Sequence, residues 1–307
     1  MRISATAGAA GAAGAAGATG ATGAAGLDAH VCGLRLSLTT ATDITTADVT
    51  GAATLYLTPH ISGQIRTYDS SVWTTHTTAQ VSLALTTIVA DTNYDIFANW
   101  SGSAIVLTKA VWTDDVTRAS ALARQDGVWV LGSDHNKLYV GTIRATAGNG
   151  TTGGTTEDSA AKRFVWNQYN RVNRKLKIVE ATNSWTYNSA TWRAARGQAG
   201  NCFEYVTGDV AYLNARVIIA CASGSPDTAS VGIGIDSPST NSADLFGAAA
   251  AAAAFADYQT MGTYEDWIAA GYHKITWLES ATASTATFYG DNGGTQFQGG
   301  MTGRIAA

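Results

Sequence analysis

The stretch Leu34-Arg35-Leu36-Ser37-Leu38-Thr39 places three leucines on one side of an extended chain and three polar residues on the other. Successive side chains of a strand point to opposite faces, so this period of two predicts a half-buried strand rather than a helix. The pattern recurs at Leu55 and Leu57, at Val81, Leu83 and Leu85, at Ile105 and Leu107, at Val128 and Val130, and at Leu138 and Val140. Between these runs lie the clusters ISGQ (61–64), DTN (91–93), WSGS (100–103) and GSDHNK (132–137), rich in the residues that favour tight turns. Short strands at this spacing predict an all-β, antiparallel sandwich or barrel.

The second half resumes the alternation. Leu176 and Ile178 share a face, as do Val217, Ile219 and Cys221, and Val231, Ile233 and Ile235. Gly232 and Gly234 leave the opposite face of the last strand bare, which predicts close approach of another backbone or sheet. KITWLE (274–279) and TATFYG (285–290), with TQFQ (295–298), read as a closing meander. The expected organisation is a segment 1–26, a β-rich domain 27–146, a Gly/Thr-rich linker 147–156 and a second β-sandwich or jelly-roll-like domain 157–307. At the end of that linker, Thr155 and Asp158 resemble a capping box. Ala161, Val165, Tyr169 and Val172 follow at roughly helical spacing, so a short helix competes with a strand through RFVWN (163–167). The alanine run 248–254 is read as a docked helical turn or a loop ornament, since seven alanines do not hold a helix alone.

From Gly8 to Gly26 glycine occupies every third position, with only Ala and Thr between. That phase is required where three chains wind about one axis that admits no side chain, so it predicts a collagen-like, trimeric stalk. Its 19 residues would span about 60 Å at about 3.1 Å each. A flexible Gly/Ala tether and the expansion of a short codon repeat are the competing readings. No proline supports the segment, so the stalk would need trimeric β-domains to hold the chains together.

Composition narrows the function. The 307 residues are 46% hydrophobic and only 14% charged, with 33 glycines, so Thr, Ser, Asn, Gly and Ala must cover the surface. A net charge of −4 without a basic run argues against a nucleic-acid binder. Three cysteines (Cys32, Cys202, Cys221) at no ligand-like spacing read as reduced thiols of a protein assembled in cytoplasm. There is no apolar run long enough for a membrane span, and no leader-like segment follows Arg2.

Chemistry is sparse. Five histidines (His30, His60, His76, His135, His273) have no metal-binding spacing, and no phosphate-loop or nucleophile-elbow motif is present. Asp114–Asp115 and Asp134–His135 lie in expected turns, where short polar side chains bond local backbone. The five glutamates (Glu157, Glu180, Glu204, Glu265, Glu279) are far apart in sequence, although paired carboxylates could still meet in space. The expectation is no catalytic set, no cofactor and no metal. Trp185, Tyr187 and Trp192 form the aromatic cluster that could stack on sugar rings, against the simpler reading that a β-domain buries its aromatics. Asn99 and Asn149 match the glycosylation sequon, which a cytoplasmic protein does not use.

From about Gly33 onward the chain resembles fibre and spike-type virion proteins of tailed bacteriophages and prophages. The resemblance rests on LRLSLTTATDITTADVTGAATLYLTP (34–59), LYVGTIRAT (138–146), TTEDSAAKRFVWNQYNRV (155–172), WTYNSATWRAA (185–195), VGIGIDSPSTNSA (231–243) and GYHKITWLESATASTATFYGD (271–291). It implies a component of the virion surface, on tail or capsid; with the triplet glycines and the lack of a catalytic motif, the expectation is a homotrimeric, non-enzymatic fibre or spike assembled in the host cytoplasm. Its implied partners are other copies of itself, other virion proteins through the N-terminal segment, and host-surface glycan or protein. A polysaccharide-degrading tailspike and a secreted bacterial adhesin are the alternatives. Long β-helix repeats, common in tailspike enzymes, are not visible in the sequence.

Overall fold

The computed structural model describes residues 31–151, 153–223, 228–250, 258–282, 285–291 and 298–307. The Gly-X-Y segment and residues 251–257 of the alanine-rich insertion lie outside the described residues. Among the described residues the chain forms strands and one 3-10 turn, with no α-helix. It is all-β.

The first half contributes β1 (Leu34–Ser37), β2 (Val49–Ala52), β3 (Thr54–Pro59), β4 (Gln64–Tyr68), β5 (Trp73–Thr77), β6 (Val81–Ala84) and β7 (Asn93–Trp100). There follow β8 (Ile105–Val111), β9 (Leu122–Gln125), β10 (Val128–Leu131), β11 (Asp134–Gly148), β12 (Gly154–Asp158), β13 (Lys162–Arg163) and β14 (Val165–Asn167). The second half adds β15 (Asn173–Val179), β16 (Ser184–Tyr187), β17 (Arg193–Ala194), β18 (Cys202–Thr207), β19 (Ala211–Ala222), β20 (Thr228–Ile235) and β21 (Leu245–Phe246). It closes with β22 (Ala248–Ala250), β23 (Tyr258–Ile268), β24 (Gly271–Ala281), β25 (Ala286–Tyr289) and β26 (Gly300–Ala306).

Two hydrophobic clusters organise these strands. The first gathers Leu34, Leu36, Leu55, Leu57, Ile96, Leu138, Val140 and Ile143. The second gathers Leu176, Phe203, Leu213, Val217, Ile219, Val231, Ile233, Trp277 and Phe288. In this second cluster a seven-stranded sheet, with the path β15-β26-β19-β23-β21, faces the β18, β20 and β24 end of a fourteen-stranded sheet. The long sheet runs on through β13, β12 and β11 into the first half. β13 and β18 pair in parallel, Lys162 opposite Glu204 and Arg163 opposite Tyr205.

The structure bears on several expectations. Within the stretch expected as a linker, the described ends pair as the tip of the β11–β12 hairpin, with Ala147 opposite Thr155 and Gly148 opposite Gly154. Of the two readings from Thr155 onward the strand holds, as β12, β13 and β14; the β formers of RFVWN prevail because β14 pairs along β11 and buries Val165 and Trp166. KITWLE and TATFYG do not form a meander: β24 pairs with β20, β18 and β17, whereas β25 pairs with β16 and β19. The close approach expected at the bare face of VGIGI is found, and it comes from within the chain. A Cβ on Gly232 would strike the Asn241 amide, and one on Gly234 would strike the Ser237 carbonyl.

Arg35 departs from the simple alternation. It is 1% exposed, not on the solvent face, because it bridges the two halves. Its guanidinium donates to the carbonyls of Asn170 and Ala307, the latter at 3.1 Å, and to that of Asp43 at 3.3 Å. A guanidinium can be taken out of water only when its donors find acceptors, and here three carbonyls supply them.

Candidate functional site

The residues singled out from sequence are placed by the fold in structural roles. Trp185 is buried between Phe288, stacked at 6.0 Å, and Trp277, edge-on at 6.0 Å. Its indole Nε1 donates to Glu279 Oε2 at 2.6 Å. Tyr187 carries the Arg193 guanidinium 3.7 Å above its ring, and Trp192 meets Phe246 edge-on. The cluster is a packed core margin. Asp114 Oδ1 accepts the backbone N–H groups of Val116 and Thr117, fixing a turn. Asp134 accepts the N–H of Asn136, while His135 pairs with Gln125. All three cysteines are buried, and burial pushes the Cys32 thiol up to about 12 and the Cys202 thiol up to about 11. Among the described residues no three His, Cys, Asp or Glu side chains cluster as a metal would require.

Where the two halves meet, a cleft of about 390 Å³ opens between the Asp115–Val116 turn and the start of β24. Asp115, Asp236, Tyr272, Lys274 and Thr276 line it. Both carboxylates are engaged. Asp115 holds Arg144 at 2.6 Å, and Arg144 lies 3.6 Å above the Tyr272 ring. Asp236 contacts His273 at 2.8 Å and accepts the Lys274 N–H at 2.8 Å. The Tyr272 hydroxyl donates to Glu204 at 2.9 Å. Burial, followed by the neighbouring Glu204 charge, holds that phenol far above its usual range.

A different surface has the chemistry of a binding face. On the outer side of the seven-stranded sheet, Tyr212 of β19 stands opposite Trp267 of β23, edge to face, with ring centroids 5.5 Å apart and planes inclined at 65°. Trp267 is 65% exposed and Tyr212 41%. Large aromatics left open to water forgo the burial that drives folding, so such a pair is informative where a lone exposed apolar residue is not. Tyr212 is also held in place: its hydroxyl donates to Glu265 Oε2 at 3.0 Å, and the Asn214 amide donates to Glu265 Oε1. The Glu265 hydrogen bond pushes the phenol pKa upward. Beside the pair lies a hollow of about 290 Å³, lined by Asn173, Tyr212, Asn214, Arg304, Ile305 and Ala306. An aromatic platform bordered by amide and guanidinium groups suits a polar ligand that also has an apolar face.

Sequence reasoning passed over Tyr212 and Trp267. The signal for the first was present, because Tyr212, Asn214 and Arg216 alternate with the buried Leu213, Ala215 and Val217. Its pairing with Trp267, across 55 positions, depends on strand register.

No family model and no curated protein matches this chain. Among solved structures, it is similar to the insecticidal delta-endotoxin Cry8Ea1 from Bacillus thuringiensis at 7% identity and a TM-score of 0.27, covering 89% of this chain and 51% of that one. The mosquito-larvicidal Cry4Aa toxin of Bacillus thuringiensis follows at 8% identity and 0.22, with coverages of 85% and 51%. A Bacillus thuringiensis Cry1Da tryptic core variant gives 8% and 0.19, with coverages of 83% and 48%. The chain thus spans about half the length of these toxins, and likeness at this level bears on neither fold nor function.

Proposed function

We propose that the chain is a non-enzymatic surface component of a tailed-phage virion that attaches to host-surface glycan through the Tyr212–Trp267 face. In this reading it is a homotrimer of two β-sandwich domains behind a collagen-like stalk, and the stalk joins it to other virion proteins. The observation that carries the attachment role is the open, hydrogen-bonded aromatic pair on the outer sheet face. Sugar rings present an apolar face of axial C–H bonds to such a platform, and their hydroxyls match the amides beside it. The virion context rests on the sequence resemblance and on the triplet glycines. The test is binding of the full-length protein to isolated host-envelope polysaccharide. Trp267→Ala is expected to weaken binding about tenfold while leaving the melting temperature unchanged. Unaltered binding would remove the sheet face from the role.

A polysaccharide-cleaving enzyme is the second reading, because Asp115 and Asp236 line one cleft. Release of reducing ends from host glycan, abolished by Asp115→Asn together with Asp236→Asn, would favour it over attachment.

A further inference from the structure

We infer that the ligand of the outer sheet face is an anionic polysaccharide, its acidic groups held by Lys175, Lys177, Arg216 and Arg304. This inference rests on the attachment reading above and adds the charge class of the glycan. All four cations are exposed and project from the same side of the sheet as Tyr212 and Trp267. The register fixes the arrangement. Lys175, Arg304 and Asn214 are direct neighbours across β15, β26 and β19, and Lys177, Thr302 and Arg216 form the next row of the same face.

None of the four cations forms an ion pair among the described residues. The ion pairs that are present hold other basic groups, such as Arg118, Arg144, Arg163, Arg174 and Arg193. Glu265, the acid on the first row, is already held by Tyr212 and Asn214. Lys175 stands directly opposite Arg304, and like charges so placed oppose folding. A chain with net charge −4 and only 19 basic residues thus gathers four of them, without ion pairs, on the face of its open aromatic pair, where Glu265, Asp244 and Asp266 supply the negative charge near Tyr212. Such a cluster concentrates anions at the surface. The planar Arg304 fork matches a carboxylate or phosphate bidentately.

The shape suits a chain rather than a single ring. The outward positions of β26 are Gly300, Thr302, Arg304 and Ala306, and all but Arg304 are smaller than the Lys and Tyr side chains on the flanking strands. A second hollow, of about 150 Å³, lies on this strand at Lys177, Val179, Ile218, Gly300 and Thr302. Gly300 and Arg304 are about 13 Å apart at strand rise. A single-stranded nucleic acid would need aromatic platforms repeated along the groove. Here the aromatic pair stands at one end, and the remainder offers charge and hydroxyls.

The test uses the full-length protein with polygalacturonate as the acidic polymer, dextran as the neutral one and oligo(dT) as the nucleic acid, at low and high salt. Polygalacturonate should bind best, with affinity falling as salt rises. Lys175→Ala with Arg304→Ala should weaken it about tenfold and flatten the salt dependence. Lys175→Arg should keep it. Because the double variant removes a repulsion, its melting temperature should not fall. Dextran bound as well as polygalacturonate, with dependence on Trp267 but not on the cations, overturns the charge inference and leaves attachment standing. Oligo(dT) bound more tightly than polygalacturonate overturns the ligand class. Failure of all host and model polysaccharides to bind removes both readings.

Discussion

Arg118 Nη2 donates to the carbonyl of Gly208 at 2.6 Å, ninety positions along the chain, while its Nε holds Asp95 Oδ2 at 2.6 Å. The contact sits in a continuous polar seam between the halves. Tyr139 Oη pairs with Thr142 Oγ1 at 2.5 Å, and Thr142 donates to Asp95 at 2.7 Å. Gly208 has no room for a side chain, since a Cβ there would strike Tyr139 Oη, Thr142 Oγ1 and Trp166. Gly208→Ala is therefore expected to destabilise the protein by about 3 kcal/mol, measured by urea unfolding. A change within a few tenths would mean that the halves are not joined through this seam.

Glu279 is 0% exposed and accepts from Trp185 Nε1, Arg193 and the backbone N–H of Arg196, whose φ is +59°. Glu279→Ala leaves a buried indole N–H and a half-covered guanidinium unanswered, and should cost about 2–4 kcal/mol in unfolding free energy.

The pH dependence at the same residue has a definite sign. Burial raises the Glu279 pKa above its ordinary 4.5, against the opposing hydrogen bonds. The folded chain then binds the proton more tightly than the unfolded chain. Its stabilising contribution is complete below the unfolded value and is lost as pH rises through the folded one. Unfolding of the wild type and of Glu279→Gln, compared from about pH 4 to about pH 7, should show the wild type losing ground to the variant as pH rises. A gap that widens in favour of the wild type would reverse the assignment.

Trimer formation is testable by light scattering, with an expected mass of three times 31.7 kDa. A chain beginning at Leu27 should keep that stoichiometry if the β-domains trimerise by themselves. Gly17→Val, which puts a branched side chain at the crowded axis, should impair particle attachment without lowering the melting temperature of the β-domains. A monomer at micromolar concentration would count against the fibre reading.

The alternation in the sequence reaches as far as single-residue burial where one sheet face meets one core. Leu34, Leu36, Leu55, Leu57, Val217, Ile219, Val231 and Ile233 are all within a few per cent of complete burial. It fails where a second surface covers the polar side, as at Arg35, whose acceptors come from Asn170 and Ala307. The helical spacing from Ala161 to Val172 misleads for a related reason: this stretch is pinned between β11 and β18, and pairing outweighs local preference. The proposed attachment face is half legible in the sequence. Tyr212 and Arg216 follow the outward phase of β19, but their neighbours Trp267, Arg304 and Lys175 arrive through register, which periodicity does not encode.

Strand β26 lies between β15 and β19 although it is the last of the described strands to be synthesised. The seven-stranded sheet therefore cannot close until residues 300–306 have left the ribosome. Until residues 300–306 arrive, β15 and β19 each present a naked edge, and the apolar side beneath them has no lid. Newly made copies would be most vulnerable to joining one another edge to edge in this interval, so synthesis at lower temperature or with added holdase chaperone should raise the soluble yield.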